Sequence, residues 1–258
     1  STGLDLTESD KIRNFVLMGL SPEVQERFYD SYWNKIEKLS LKELDSFIRH
    51  YLTVVTGVIP NIRNIYEAFK QYAKQRDDIE SVLQDMLRHA QAYNKILTCT
   101  VGSACANTTV KHLNLLEVTV AHPFLMAYLV YAEENHLPME ETETVLGLIE
   151  NMIFRRFICE LPANVLNKIF AILHKQVIKQ KRDTDTYSSV LIYILLNRRA
   201  AVLFPNNEDF ISNFSTKNIY AMRSRSKQYL FERLENGNSK EVNDIVGYLE
   251  NNTYSIEH

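Results

Sequence analysis

The sequence is poor in the residues that turn or interrupt a chain. Its 258 residues include only 7 glycines and 6 prolines, which disfavours turn-rich β structure and favours helices. The 3 cysteines are an odd number without metal-ligand spacing, so they argue against a disulfide framework and indicate a reducing compartment. Cys99 and Cys105 are close enough in sequence to approach each other, but buried free thiols are the favoured interpretation.

Signals for export, membrane insertion and several enzyme classes are missing from the sequence. Residues 1–10 are polar and acidic, unlike a secretory signal. The most apolar stretches, such as 190–196, are far too short to span a bilayer. Phosphate-loop glycines, a dinucleotide-binding fingerprint and zinc-ligand spacing do not occur. Because the chain does not begin with methionine, we expect a fragment or a processed form of a longer protein.

Apolar residues recur at helical spacing along most of the chain. With 45% apolar and 24% charged residues, the composition is ordinary for a globular protein, and the length provides ample core for one large or two modest domains. We therefore predict an all-α fold, a multi-helix orthogonal bundle of about ten to twelve helices. We divide it into helical subdomains 1–137 and 138–258, and 248–258 is expected to end in a short extended segment because Thr253, Tyr254 and Ile256 favour strand.

Capping residues predict where several helices begin and end. The N-terminal signals are Thr7 with Asp10, Ser21 with Pro22, Ser40 with Glu43, and Asp77-Asp78. Gly57 is the predicted C-cap of the helix that Ser40 opens. The small, polar stretch 98–109 predicts a loop. Because proline disfavours the αR conformation of the residue before it, His122 before Pro123 predicts a kink or a helix break.

Two adjacent arginines, Arg155 and Arg156, continue an apolar helical pattern that ends at Pro162. A guanidinium in such a run cannot remain unpaired in the core, so at least one arginine must meet an acceptor or reach the surface. One interpretation is structural, with the arginine holding a helix–helix corner through carboxylates or backbone carbonyls. The other interpretation is functional, with the arginine facing a nucleic-acid phosphate.

Charge is distributed unevenly about this arginine pair. Residues 1–154 contain 14 Lys and Arg against 21 Asp and Glu, a net charge of −7, whereas residues 155–258 contain 15 against 11, a net charge of +4. A basic C-terminal half is compatible with salt-dependent contact to nucleic acid. The residues predicted to contact a DNA backbone are Arg155, Arg156, Lys168, Lys175, Lys179, Lys181 and Arg182.

The seven histidines are scattered along the sequence, at positions 50, 89, 112, 122, 136, 174 and 258. A lone histidine is more often a surface or hydrogen-bonded core residue than a ligand. We therefore predict no metal site and no cofactor box from them, and read the aromatic stripes as core.

Five segments of the chain, taken in order, carry a family resemblance. They are LTESDKIRNFVLM at 6–18, RR…LPAN…LNK at 155–168, FP…F at 204–210, the residues Tyr220, Arg223, Arg225 and Tyr229, and YSIEH at 254–258. Together they resemble GmrSD-type modification-dependent restriction endonucleases, and the similarity extends over nearly the whole chain. In that family such segments lie between a ParB-like N-terminal domain and a C-terminal HNH-type nuclease domain.

The resemblance implies a helical connector in a cytoplasmic bacterial phage-defence protein that cuts foreign, often modified, DNA. Glu257 would bind a divalent cation, Mg²⁺ or Mn²⁺, in the complete nuclease, and His258 would activate water against the phosphodiester. The nuclease needs further Asn and His residues downstream, and the DGQQR-like motif of the N-terminal domain is missing from this sequence. We therefore expect this fragment to be inactive, with DNA and the flanking domains as partners and no membrane.

The same sequence is also compatible with a different class of function. The chain is then a helical protein-interaction or scaffold domain without a nucleic-acid role, and its basic half is simply a solvated surface. The distribution of charge in three dimensions distinguishes the two hypotheses, because one continuous basic surface favours DNA and dispersed charges favour a scaffold.

Overall fold

The computed structural model describes residues 6–237, 243–251 and 253, apart from the side chain of Ala201. The described residues form helices and no strand, which confirms the predicted all-α class. The first helices are α1 (Glu8–Leu17), α2 (Pro22–Phe28), α3 (Asn34–Leu39), α4 (Leu44–Thr56), α5 (Ile65–Ala73), α6 (Ile79–Leu97) and α7 (Ala104–Leu115). A π-helical turn, Tyr29–Trp33, joins α2 to α3.

The later helices follow with short connections. They are α8 (His122–Glu134), α9 (Met139–Ile158), α10 (Asn164–Gln180), α11 (Tyr187–Leu196), α12 (Asn207–Thr216), α13 (Ser224–Asn236) and α14 (Ile245–Glu250). Within the described ranges, no helix is long and apolar enough to cross a membrane. Residues 248–250 belong to α14. The extended segment predicted at the C-terminus falls mainly on residues 254–258, which lie outside the described part.

Local capping chemistry places several helix ends where the sequence predicts them. The Thr7 hydroxyl accepts from the Asp10 backbone N–H at 3.1 Å, and Asp10 accepts in return from the Thr7 backbone at 3.3 Å, so the capping box is confirmed. Gly57 ends α4 in the left-handed region, at φ +76°. The capping box at Ser40 is wrong, because its hydroxyl donates back to the Ile36 carbonyl at 2.7 Å. Helix α4 therefore begins only after Glu43.

Two other expectations about helix boundaries are wrong. The predicted loop 98–109 is helical from Ala104 onward, because Ser103 accepts from the Ala106 backbone N–H at 3.1 Å and caps α7. His122 is in the αR conformation, at φ −54° and ψ −42°. Pro123 occupies the first turn of α8, where its missing N–H has no helical acceptor to lose. The break between helices therefore lies upstream, at 116–121.

One continuous hydrophobic core runs through the described residues. Helix α8 lies at its centre, with residues 121–129 all buried, and packs against α4, α6, α9 and α10. The predicted subdomain boundary, between residues 137 and 138, falls between α8 and α9, which both contribute to this core. The division into two subdomains stays a prediction.

Candidate nucleic-acid interface

Arg156 is a structural residue at the corner between the end of α9 and the start of α10. Its side chain lies in the core, 1% exposed. One terminal nitrogen donates to the Leu203 carbonyl at 2.7 Å and the other to the Pro162 carbonyl at 3.1 Å. Burial lowers the pKa of Arg156, but a guanidinium stays charged near neutral pH. The hypothesis that at least one arginine of the pair is structural is confirmed.

Arg155 holds the segment that leads into α12. Its guanidinium donates to the Pro205 carbonyl at 3.2 Å and to the Asn207 side-chain oxygen at 2.7 Å. The same group lies 5.1 Å from the Phe210 ring centre. The contact of either arginine with DNA stays a prediction, and both direct their donors to the protein itself.

The other predicted basic residues lie on or just after α10. Lys168, Lys175 and Lys179 are spaced by seven and four residues, and all three are exposed. This spacing places them on one face of the helix, which contains no acidic residue. Lys175 also donates to the Val55 carbonyl at the end of α4, at 3.0 Å. Lys181 donates to the carbonyl of its exposed neighbour Arg182, at 3.2 Å.

A cleft opens at the α9–α10 corner, beside these residues. One part, about 520 Å³, lies between three segments: the turn 116–120, the corner 156–167 and the segment 217–226. A second part, about 540 Å³, shares Phe157, Glu160, Lys217 and Arg223 as lining residues. Lys217 stands between the two parts, 2.7 Å from Glu160 and 5.5 Å from the Phe157 ring centre. We call the two parts together the corner cleft.

Two helices begin at the corner cleft without a side-chain cap. Helix α10 starts after Ala163 and α13 after Arg223, and neither has a capping side chain or an acidic residue in its first turn. Ala163, Asn164 and Arg223 all line the cleft. Helices α1, α6, α7, α11 and α12 each have a capping side chain. Helices α3, α4, α5 and α9 lack one but have an acidic residue in the first turn, and α8 lacks both. The uncapped N–H groups and the helix dipoles make both starts attractive to an anion.

Lys217 and Arg223 line the corner cleft together with two acidic residues, Glu117 and Glu160, and Arg225 lies beside Glu117. Arg223 is 82% exposed and lies 3.9 Å from Glu117, and Arg225 lies 3.7 Å from the same carboxylate. One glutamate therefore faces two guanidinium groups, and these long contacts at the surface hold the arginines only weakly. Both arginines remain available to a phosphate.

A buried group of charged residues fixes α13 in place. His112 of α7 lies between two glutamates, with one ring nitrogen 3.0 Å from Glu150 and the other 3.4 Å from Glu232. The Tyr229 hydroxyl donates to Glu150 at 2.9 Å. Burial opposes the charged form of His112, but hydrogen bonds and charge from both glutamates outweigh it, so the pKa of His112 is raised. The His112 ring thus links α7, α9 and α13.

Sequence reasoning found part of this site and missed part. Of the seven basic residues predicted to contact DNA, only Arg156 lines the corner cleft, and it is buried. Lys217 was not among the residues predicted to contact DNA, because its local sequence contains no motif that would indicate a binding site. One sequence feature could have pointed to the cleft. No capping side chain and no acidic residue occurs where α10 and α13 begin, and such helix starts attract anions.

The predicted catalytic pair, Glu257 and His258, lies outside the described residues. In the part of the chain that the structure describes, no group of three or more His, Cys, Asp or Glu side chains is arranged to hold a metal ion. The described donors therefore do not fit the divalent cation of a nuclease, and no chemical step is assigned to one here.

The chain was compared with family models, with curated proteins and with solved structures. None of the three comparisons finds a match.

Proposed function

We propose that this chain is the helical, DNA-proximal connector of a cytoplasmic bacterial restriction endonuclease, and that it holds the DNA backbone at the corner cleft. The observation that carries the proposal is the meeting of two uncapped helix starts, α10 and α13, with Lys217 and Arg223 in one cleft. Each of these features favours an anion, and phosphates are the anions that a nucleic acid presents in series.

The segments that carry the family resemblance support the same location. The RR…LPAN…LNK motif contributes Arg156, Asn164 and Asn167 to the cleft lining, and the later block contributes Arg223. More than fifty residues separate these motifs in the chain. Their convergence gives the motifs a shared physical role, since backbone amides and guanidinium groups contact phosphate without reading base sequence.

Binding of a fluorescein-labelled DNA duplex, followed by anisotropy at low salt, tests the proposal. Reversing both charges at the start of α13, in the variant Arg223→Glu/Arg225→Glu, should weaken binding about tenfold or more. The matched control is Lys35→Glu/Lys38→Glu, which makes the same charge change at exposed residues of α3. A third variant, Lys179→Glu/Lys181→Glu/Arg182→Glu, measures how much the basic residues at the end of α10 contribute to DNA affinity.

Affinity should be similar for unrelated duplex sequences and should fall steeply with salt, because the contacts are to phosphate. Absence of binding at low salt would contradict the proposal. So would affinity that neither the α13 variant nor the α10 variant changes relative to the α3 control.

The proposal also states that this chain does not cut DNA by itself. Plasmid relaxation with Mg²⁺ or Mn²⁺ should show no nicking by residues 1–258, since one carboxylate with one imidazole does not make a cation site. A chain extended past His258 by roughly one small domain should nick the plasmid, and His258→Ala should abolish that activity. Cleavage by residues 1–258 that survives His258→Ala would place the chemistry elsewhere.

One observation favours the scaffold function as a second candidate. Ile178, Tyr193 and Leu196, on α10 and α11, are large apolar side chains that the protein leaves exposed. Exposed apolar groups of this kind are common at protein–protein interfaces. A chain that fails to bind duplex DNA in the anisotropy experiment would be better described by this alternative.

A further inference from the structure

A second cavity, about 360 Å³, lies between α4, α6 and the start of α8. Three aromatic rings form one of its walls. The His50 and His122 ring centres are 5.4 Å apart, and both rings meet the Tyr93 ring, at 5.9 Å and 5.6 Å. We call this cavity the histidine pocket. Its volume is within the range of small-molecule sites, about 300–1,000 Å³.

The wall of the histidine pocket carries one buried nitrogen that has no partner within the protein. His122 is 6% exposed, and its Nδ1 has no hydrogen-bond partner among the described residues. Among the described residues that line the pocket, this Nδ1 is the one buried side-chain nitrogen or oxygen without a partner, and His50 is only half-buried. A buried polar group without a partner is costly, by about 1–3 kcal/mol. The unpartnered Nδ1 beside an open cavity points to a ligand that satisfies it.

Both imidazoles are neutral near pH 7. Burial lowers the pKa of His122 to about 4. Burial, together with the nearby His122 and Arg49, lowers the pKa of His50 to about 3. A neutral imidazole has one donor nitrogen and one acceptor nitrogen. The imidazoles therefore offer donors and acceptors without charge, beside the carboxylates of Glu43 and Asp45 and the guanidinium of Arg49, which also line the pocket.

We propose that the histidine pocket binds a nucleobase. A flat heterocycle stacks on or against the aromatic wall formed by His50, Tyr93 and His122. Its edge carries both donors and acceptors, which match the neutral imidazoles and the phenol. Arg49 also lines the pocket, and its Nε is held by the Pro60 carbonyl at 2.9 Å, so its terminal nitrogens face a fixed direction.

The histidine pocket and the corner cleft are connected by a small cavity that shares lining residues with both. A small cavity of about 50 Å³ shares Arg49, His50 and Thr119 with the pocket. The same small cavity shares Val120 and Asn167 with the cleft. The base can therefore come from a free nucleoside or from a nucleic-acid strand held in the cleft. The strand as source rests on the proposed function, whereas the nucleoside does not.

NMR of the histidine side chains tests the proposal directly. Long-range ¹H–¹⁵N spectra resolve the ring nitrogens, and the probes are adenosine, guanosine, cytidine and thymidine, each titrated alone, followed by a short single-stranded DNA. At least one nucleoside should shift the ring signals of His50 and His122 while leaving those of His136, on the surface, unchanged.

Three variants locate the binding. Tyr93→Phe removes only the hydroxyl and should weaken binding about fivefold, the effect of one hydrogen bond. Thr119→Trp fills the pocket mouth from an exposed position and should abolish binding. Tyr193→Phe, on the exposed face of α11, is the matched control and should bind normally. Circular dichroism melts of each variant establish that the protein is folded.

The two proposals fail in different ways. Nucleoside binding that persists in Arg223→Glu/Arg225→Glu, together with no duplex binding by the unchanged protein, would leave the histidine pocket standing and remove the proposed function. A strand that binds at the cleft while no nucleoside moves the His50 and His122 signals would remove the pocket. Nucleoside binding that Thr119→Trp leaves unchanged would also overturn it.

Discussion

Arg156 brings a positive charge into the core and gives both of its terminal nitrogens to backbone carbonyls. Replacing it by Ala removes the donors to Leu203 and Pro162 and leaves a cavity at the α9–α10 corner. We predict that Arg156→Ala lowers the free energy of unfolding by about 2–4 kcal/mol. Urea denaturation measures this directly.

Two other arginines provide the comparison for Arg156. Arg155→Ala should have a smaller effect, about 1–2 kcal/mol, because its guanidinium is only half-buried and its partners can turn to water. Arg63→Ala, at an exposed position, should stay within about 0.5 kcal/mol of the unchanged protein. An Arg156→Ala protein as stable as Arg63→Ala would contradict the structural role.

The buried histidines make the protein sensitive to acid. His122 has a folded-state pKa of about 4 against about 6.5 when unfolded. The unfolded chain therefore binds the proton first as the pH falls below about 6.5, and stability is lost from there toward pH 4. His122 alone should remove about 2 kcal/mol between pH 7 and pH 5.

Urea denaturation at several pH values between 7.5 and 4.5 measures that loss. His122→Phe keeps a ring but cannot take up a proton, so its stability should fall less steeply over this range. The slope against pH is the quantity to compare, because the substitution can also change stability at neutral pH. Equal slopes for the two proteins would contradict the depressed pKa.

At the scale of elements, the position of α13 depends on the charges around His112. Because the pKa of His112 is raised, its contribution is fully present below about pH 6.5 and is lost as the pH rises through the folded-state value. Hydrogen bonding to His112 lowers the pKa of Glu232, so that contribution is lost at acid pH instead. The attachment of α13 should be strongest between these limits.

We predict that His112→Phe loosens α13 from the body of the protein. The change leaves the side chains of Glu150 and Glu232 buried without the imidazole nitrogens between them. Hydrogen exchange followed by mass spectrometry should show amides of α13 exchanging about tenfold faster or more. Amides of α4 and α6 serve as the internal control and should change little. Unchanged protection of α13 would contradict the role of this group.

Element boundaries followed from the sequence where local chemistry decides them. Thr7 and Gly57 act on their own neighbours, so their effect can be read without a structure. Ser40 could not be read in this way, because its hydroxyl turns back to Ile36 instead of capping the next helix. At Pro123 the sequence located the interruption, but the rest of the turn at 116–121 decided which residue begins α8.

At the scale of the whole molecule, a single core joins the two predicted subdomains. We predict that the described helices unfold together in urea. Trp33 is the one tryptophan of the sequence and is buried in the N-terminal half. Its fluorescence reports that half, whereas far-ultraviolet circular dichroism reports helices throughout the chain. Coincident transitions are expected, and a separate second transition by circular dichroism would instead support two subdomains.

The corner cleft and the histidine pocket lay beyond sequence reasoning for a physical reason. The starts of α10 and α13 are distant in the chain, and α13 reaches the cleft only because it packs on α7. His50 and His122 are likewise brought together by the packing of α4 against α8. The arginine pair, by contrast, was predictable from its apolar surroundings alone.

The salt dependence of duplex binding tests the central claim most directly. Anisotropy titrations over a range of salt concentrations give the slope of log K against log salt, which counts phosphate contacts at about 0.9 each. Arg223→Gln/Arg225→Gln should make the slope shallower by about 2, and Lys35→Gln/Lys38→Gln should leave it unchanged. Slopes that are equal in all three proteins, or no binding even at low salt, would contradict a phosphate-binding corner cleft.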